Sequence, residues 1–455
     1  MKKNYFFLLI PALGFSQLQI GQDINGFGNW SNTSLSPNGT TVAIGAVNQN
    51  QSKVYTESSG SWVQIGQDIP ARGYSVSLSS LGNIVALGDN LNNNSNGVGA
   101  GSVRVYEFNQ GAWKQKGQSI NGKSAGEQNG FSTSLSSNGN TLAIGAPYKA
   151  WKGNSNSPQG TVRVYDYNSV SGQWNQLGQD IDGNGLGYFS GTSVSLSANG
   201  STLAVDYMFE ATTGVVRIYR NINGIWTQIG NTIHGEGNSD RFGRSISLSA
   251  DGTIVAIGGY RNNANGIYKG HVRVYKNTSG LWTQIGSDID GQANYDQAGF
   301  SVSLSSDGSI VAVGALMEAS APSRGGTRIY KNISDVWTKV YNDISYGNYV
   351  SLSTDAKRLA VKKNGTTKIF DLGILSNNTF SDDDFKVYPN PATDILNITL
   401  SEKFILEKIT IYNSLGQILK ASNDKIINVG NLSPGIYFVE VTTDHGKDVR
   451  KIIIQ

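Results

Sequence analysis

Cysteine is absent from all 455 residues. That excludes disulfide staples, thiolate metal centres, cysteine nucleophiles and a lipid-anchored N-terminal cysteine. Histidine is nearly as scarce: only His234, His271 and His445 occur, in three different settings. No pair has zinc spacing, and no Ser/His/Asp order is recognisable. Charge is thin as well, with 15% of residues charged and a formal balance of +3. So weak and dispersed a surplus does not suggest a nucleic-acid surface. Amphipathic helical periodicity is missing beyond the N-terminus, and no other apolar run approaches membrane-spanning length.

Glycine is plentiful, at 56 residues, with many Asn and Ser beside it, a turn-rich composition. At this length the chain should hold two or more domains or a repeat array. Its start, MKKNYFFLLIPALGFSQ, runs from two lysines through an apolar stretch to small Ser16. That order predicts a secretory signal peptide over residues 1–16, cleaved near Ser16–Gln17. The mature chain is then exported, soluble or surface-attached, without a transmembrane segment.

A Ser-Leu-Ser core recurs at Leu35, Leu78, Leu135, Leu196, Leu248, Leu304 and Leu352, with Gly five residues earlier in six copies. After each core come a turn such as SADGT, a strand such as VAIGA and a third strand such as TVRVY. A fourth strand begins at Trp62, Trp113, Trp174, Trp226, Trp282 or Trp337 and runs into strings such as VQIGQDI. Four short strands per unit, rich in Val, Ile and Tyr, predict an all-β fold: a seven-bladed β-propeller over residues 17–374. The seventh unit has no fourth strand. The orphan string LQIGQDI at 18–24 should supply it, closing the ring at its outer edge. A solenoid would need capping repeats instead.

RFGRSISLSADGTIVAIGG (241–259) is similar to FG-GAP-type propeller repeats, with Phe242-Gly243 intact. Many members of that family carry calcium in Asp-rich loops. No such loop occurs here, and Asn-rich 92–97 lacks carboxylates. No metal or other cofactor is therefore expected, with calcium kept as a minor alternative.

Strand succession puts the long segments 89–101, 147–160, 206–214, 259–270 and 315–326, with connectors 121–130 and 233–242, on one face. Variable loops on a rigid scaffold usually carry recognition. The candidate ligand-binding residues there are Asp89, Tyr148, Trp151, Asp206, Tyr260 and Tyr268. Asp206 replaces the Gly ending the second strand of unit four, and Asp89 the following Ala of unit two. Aromatic platforms beside carboxylates suit an extracellular glycan or protein. The base in each third strand (Lys53, Arg104, Arg163, Arg217, Arg273, Arg328, Lys368) is read as partnered, by a GQDI-type Asp or an aromatic ring, rather than as a polyanion-binding ring. No catalytic constellation is recognisable, so the chain is not expected to be an enzyme. A secreted carbohydrate-active enzyme and a passive structural surface protein stay open as alternatives.

Composition shifts at a polar, acidic linker, 375–382, and alternating apolar positions then predict a small antiparallel β-sandwich over 383–455. Tyr388-Pro389-Asn390-Pro391, Tyr412 to Gln417 with Gly416, and Leu432 to Tyr437 with Pro434 and Gly435 follow in order. This module resembles the type A C-terminal sorting domain of type IX secretion in Bacteroidetes. The resemblance implies export partners, namely the type IX machinery and a sortase-like protease, and a secreted or outer-membrane surface location.

Overall fold

The structure is a computed structural model that describes residues 18–25, 32–47, 49–151, 154–185, 188–264, 266–316, 325–373, 385–401, 406–413, 417–443 and 446–455. The expected signal peptide and linker lie outside the described residues. Among those described there is no helix, and the fold is all-β and propeller-like. The chain divides into two compact units, Met1–Leu372 and Gly373–Gln455.

The first unit holds seven antiparallel four-strand arrays. Sheet one is Thr33–Leu35, Thr41–Ile44, Lys53–Ser58 and Ser61–Gln64, in that spatial order. Sheets two to six repeat it, from first strands at Ser75–Leu78, Ser132–Leu135, Val194–Leu196, Phe242–Leu248 and Ala298–Leu304. Sheet seven joins Tyr349–Leu352, Arg358–Lys363 and Thr366–Asp371 to the N-terminal strand Leu18–Gln19. There Leu18 pairs with Asp371 and Gln19 with Phe370, and Ile24 bridges Thr367.

Apolar clusters lie between neighbouring sheets. Ala43 and Val54 of sheet one meet Leu78, Val85 and Trp113 of sheet two. Ala360 and Ile369 of sheet seven likewise meet Val42, Ile44 and Trp62 of sheet one. Glycine sets how closely the sheets approach. A Cβ on Gly45 or Gly145 would stand 2.0 Å from the carbonyl oxygen of Gly73 or Gly191 in the next sheet. Sheet seven departs from the expected spacing: Asn348, not Gly347, turns its carbonyl toward Gly314.

The serines of the repeated core fasten the inner strands. Ser34 accepts the Leu78 amide of the next sheet, and Ser77, Ser134, Ser195, Ser247 and Ser303 do the same for Leu135, Leu196, Leu248, Leu304 and Leu352. Ser351 of sheet seven accepts the Leu35 amide of sheet one at 3.0 Å.

Most residues of the recurring string have an assignable contact. In VQIGQDI (63–69), Gln64 donates to the Asp68 carboxylate at 2.8 Å, and Asp68 faces Lys53 at 3.7 Å. The Ile65 carbonyl accepts the Trp113 indole N–H at 2.9 Å, and Gln67 bonds the Trp113 backbone in both directions. Gly66, at φ 68°, leaves room for that indole. The opening copy makes the same contacts: Gln19 with Asp23, Asp23 with Lys368, the Ile20 carbonyl with the Trp62 indole, and Gln22 with the Trp62 backbone. Where sheet seven offers no Trp, Tyr341 replaces the glycine, is buried, and donates its hydroxyl to the Leu372 carbonyl.

The second unit packs a three-strand sheet, Phe385–Tyr388, Ile395–Leu400 and Ile426–Asn428, against a four-strand sheet. Its core includes Phe385, Leu396, Ile409, Ile411, Tyr437, Val439 and Ile452.

Deleting residues 18–24 would strand the Trp62 indole, unpair Lys368 and expose the 366–371 edge. Each lost hydrogen bond is worth about 1 kcal/mol, and bare edges invite association. The truncated protein is expected to melt several degrees lower and to aggregate on heating, as read by calorimetry and light scattering. An unchanged melting temperature would refute the edge-strand role.

Candidate functional site

The first strands begin, and the second strands end, around a cavity of about 720 Å³, a size suited to a small ligand. Tyr74, Phe131, Arg244 and Phe300, each directly after an inner glycine, line it together with Tyr260 and Tyr349. On one side, aromatic rings run from Tyr74 to Phe131 (5.0 Å), Tyr148 (6.3 Å) and Phe189 (5.3 Å). On the other, Tyr260 meets Phe300 at 5.6 Å and Phe300 meets Tyr349 at 5.3 Å, edge to face. Arg244 lies 4.7 Å over Phe300, and the Lys362 ammonium 5.7 Å from the Tyr349 ring. Ser and Thr hydroxyls complete the lining, which holds these two cations and no carboxylate among the described residues.

Two residues break the glycine rule at the ends of second strands, in sheets four and seven. Asp206 is fully buried. It accepts the Ser193 and Gly191 amides at 2.9 and 3.1 Å and also bonds the Thr192 hydroxyl. Burial outweighs these donors and lifts its pKa to about 7. Lys362 is 1% exposed, and burial lowers its pKa to about 8. Lys362 was not singled out in the sequence, although RLAVKK departs from VAIGA at the position that distinguishes Asp206.

The six candidate residues do not form one cluster. Tyr260 lines the cavity and Tyr148 joins its aromatic path. Tyr268 stacks edge-on against Tyr295 at 5.9 Å, and Arg261 spans Tyr260 and Tyr268. Asp206 sits behind Thr192 and Ser193 and is not itself part of the lining. Asp89 is half-buried away from the cavity, its pKa raised by burial against the pull of Arg72 and Arg104. The Trp151 side chain lies outside the described residues.

Six of the seven third-strand bases pair with acids, and in the sheet of the seventh, Arg104, Ser119 stands where the string carries Asp. Arg163 meets Asp180 at 2.9 Å and Glu127 at 2.8 Å, and Arg328 meets Asp296 at 2.6 Å and Asp343 at 3.3 Å. Where Thr232 replaces the string's Asp, Arg217 turns to Glu210. Against the opposing effect of burial, the Arg163 guanidinium holds the Asp180 carboxyl well below the usual range, and His271 followed by Arg273 does the same for Asp288. Sequence reasoning missed the buried connector acids Glu127, Asp240 and Asp296. Each precedes an inner glycine by three residues, a spacing that could have revealed them. Glu236, His271 and Asp288 converge closely enough to suggest a metal centre. The Arg273 guanidinium already bridges the two carboxylates, at 2.9 and 2.7 Å, and its positive charge opposes a cation there.

In the second unit, Asn390 ties its segment to the last strand: its side chain donates to the Lys451 carbonyl and accepts the Ile453 amide. Tyr388 and Asn390 also line a cavity of about 440 Å³, together with Arg450. The Tyr437 hydroxyl donates to the Ser433 carbonyl at 2.7 Å, across the turn that holds Pro434 and leads into the strand begun by Gly435. Pro389 and Pro391 flank Asn390, and both prolyl bonds are cis. Gly416 lies outside the described residues.

Residues 386–455 match the family described as "Secretion system C-terminal sorting domain". The chain is 37% identical over 71 residues to Beta-agarase D of Zobellia galactanivorans, a match covering 15% of this chain and 14% of that protein. Among solved structures, a chain of Kuenenia stuttgartiensis hydrazine synthase superposes with a TM-score of 0.52. It is 12% identical, with 78% of this chain and 99% of that one covered, a likeness of propeller-like fold alone. The sorting domain supports export by type IX secretion and implies contact with its machinery. No helix among the described residues is long and apolar enough to cross a membrane.

Asp206 gives a pH test. An unfolded carboxyl releases its proton near 3.8, whereas the folded one keeps it to about 7. Between those values the folded chain holds more protons, so this group's contribution to stability falls as pH rises. Asp206→Asn keeps an acceptor for the two amides and cannot ionise. Its melting temperature is expected to gain on the parent's from about pH 4 to pH 7 and to level off above that in buffered calorimetry. A pH-independent gap would contradict the buried-carboxyl assignment.

Proposed function

We propose that residues 17–374 form a closed seven-bladed β-propeller of FG-GAP type, exported as a binding module. It recognises an extracellular glycan or protein on its long-loop face, at the cavity and its aromatic approaches. The serine bond from sheet seven back to sheet one supports closure. The buried Phe242 beside Gly243 supports the repeat type. A signal peptide at 1–16 starts export, and residues 383–455 direct outer-membrane passage before a sortase-like protease removes them. The product is attached to the cell surface or released.

The observation that carries the binding role is a pre-formed cavity walled by aromatic faces, cations and hydroxyls. Such a lining suits stacking and hydrogen bonding. Among the described residues, its lining includes no paired carboxylates of the kind glycoside cleavage uses, which favours binding over catalysis. The proposal includes no resident metal or cofactor.

Two experiments test this. Removing residues 383–455 is expected to trap the protein in the periplasm, as seen by cell fractionation. Surface display without them would refute the sorting role. The full chain on a glycan array and in host-protein pulldowns is expected to bind, and Tyr260→Ala with Phe300→Ala to weaken binding about tenfold or more, at about 1–2 kcal/mol per lost ring contact. Turnover of a polysaccharide would favour the enzyme reading, and no ligand at all a passive surface protein.

A further inference from the structure

We infer that Arg241 and Arg261 form the centre of a protein-docking surface at the rim of the cavity, and that its partner is an acidic, partly apolar polypeptide segment. This deepens the proposal that the long-loop face binds an extracellular ligand, and it rests on that reading.

The two arginines leave adjoining backbone, since the Arg261 amide donates to the Asp240 carbonyl at 3.1 Å. The Arg241 guanidinium sits 4.0 Å over the Phe209 ring, and that of Arg261 lies 5.5 Å over Tyr260 and 5.6 Å over Tyr268. Tyr260 lines the cavity, which puts the pair at its edge. Neither arginine makes an ion pair among the described residues. The acids beside them are engaged elsewhere. Asp240 is buried and takes the Glu236 and Gly237 amides and the Asn262 side chain. Glu236 pairs with Arg273 at 2.9 Å. Burial lowers the Arg241 pKa, Tyr260 opposes that shift and the like charge of Arg261 adds to it, with no carboxylate involved. Arg244, by contrast, lies in the field of Asp206 and is no part of the pair.

The repeat does not ask for these charges. Gln128, Phe189 and Gln297 stand where Arg241 does, each two residues before an inner glycine and with the same left-handed backbone. Tyr148 has the place of Arg261, its amide bonded to the Glu127 carbonyl as that of Arg261 is to Asp240. Neutral side chains therefore suit both positions. Two like charges side by side repel, and an incoming carboxylate would relieve that repulsion and take both planar forks.

The surroundings favour a polypeptide over a sugar. One face of each ring beside the pair is already covered by a guanidinium, which leaves less of it to stack on a saccharide. What stays open is apolar: Phe209 is 38% exposed, Tyr268 36% and Ile267 50%. Arginine set among aromatic rings is the composition of the energetic centre of protein interfaces.

The full chain is titrated with a fluorescent glutamate–tyrosine copolymer, with polyglutamate and with polygalacturonate of similar length. The copolymer is expected to bind at least about tenfold tighter than either homopolymer and to weaken with added salt. Arg241→Met with Arg261→Met should lose that advantage. Arg241→Glu with Arg261→Glu should transfer the preference to a lysine–tyrosine copolymer, with melting curves confirming that both variants are folded. Copolymer binding that is absent, no tighter than that of polyglutamate, or unchanged in the folded Met variant overturns the docking surface. Polygalacturonate as the tightest probe overturns the protein partner and assigns the pair to an acidic glycan. In each of these cases the long-loop reading survives if Tyr260→Ala with Phe300→Ala still weakens binding to a ligand found by array or pulldown. It falls too if the parent binds nothing.

Discussion

One indole N–H per junction holds neighbouring sheets of the first unit together at their outer strands. Trp62, Trp113, Trp174, Trp226, Trp282 and Trp337 each donate to a carbonyl of the preceding string, at 2.8–3.1 Å. The ring is buried and cannot leave its polar edge unsatisfied, so its acceptor must be placed accurately. That requirement accounts for the string: a glycine where the indole passes, an amide side chain that grips the Trp backbone, and an acid that turns to the sheet's own base. Sheet seven has no Trp, and there the glycine gives way to Tyr341. The exception follows from the rule.

The same economy directs attention to the cavity. Inner strands are set by serine-to-leucine bonds and by glycines that admit the next sheet's carbonyl. A side chain larger than hydrogen at such a point separates the sheets unless it can turn aside. Asp206 and Lys362 both occupy these points, and both are ionisable and buried. Burial lifts the pKa of the first to about 7 against three donors that favour its charged form. The other puts a cation into the cavity wall. Asp206 accepts the Gly191 and Ser193 amides behind the cavity wall, whereas Lys362 is part of that wall.

Much of this was legible in the sequence and some was not, for physical reasons. The repeat, the orphan string and the pairing of third-strand bases were readable because each depends on a contact that recurs from sheet to sheet. Lys53 with Asp68, Lys368 with Asp23 and Arg273 with Asp288 are one arrangement met three times. The ring system around Phe131, Phe300 and Tyr349 was not readable, since residues from different sheets meet only in three dimensions. Of the long-loop candidates, Tyr260 lines the cavity and Asp89 does not, because spacing gives the end of a strand and not the direction of a side chain. Glu127 keeps a regular spacing to its inner glycine, but its partner Arg163 is 36 residues away in sequence, so the pairing itself was not readable.

The absence of cysteine bears on how such a chain reaches its folded state. A protein destined for an oxidising exterior commonly gains stability from disulfides. This one relies on contacts between sequence-distant residues, such as the 3.0 Å bond of Thr33 to Thr367 across 334 residues. Contacts of that range form late, since loop closure must precede their reward. On the proposed export route the strand at 18–24 emerges first and waits with an unpaired edge until 366–371 follows. The sorting domain follows that partner strand in the chain. Completion of sheet seven and appearance of the address for outer-membrane passage are therefore consecutive events, and a chain that stalls short of the first also lacks the second.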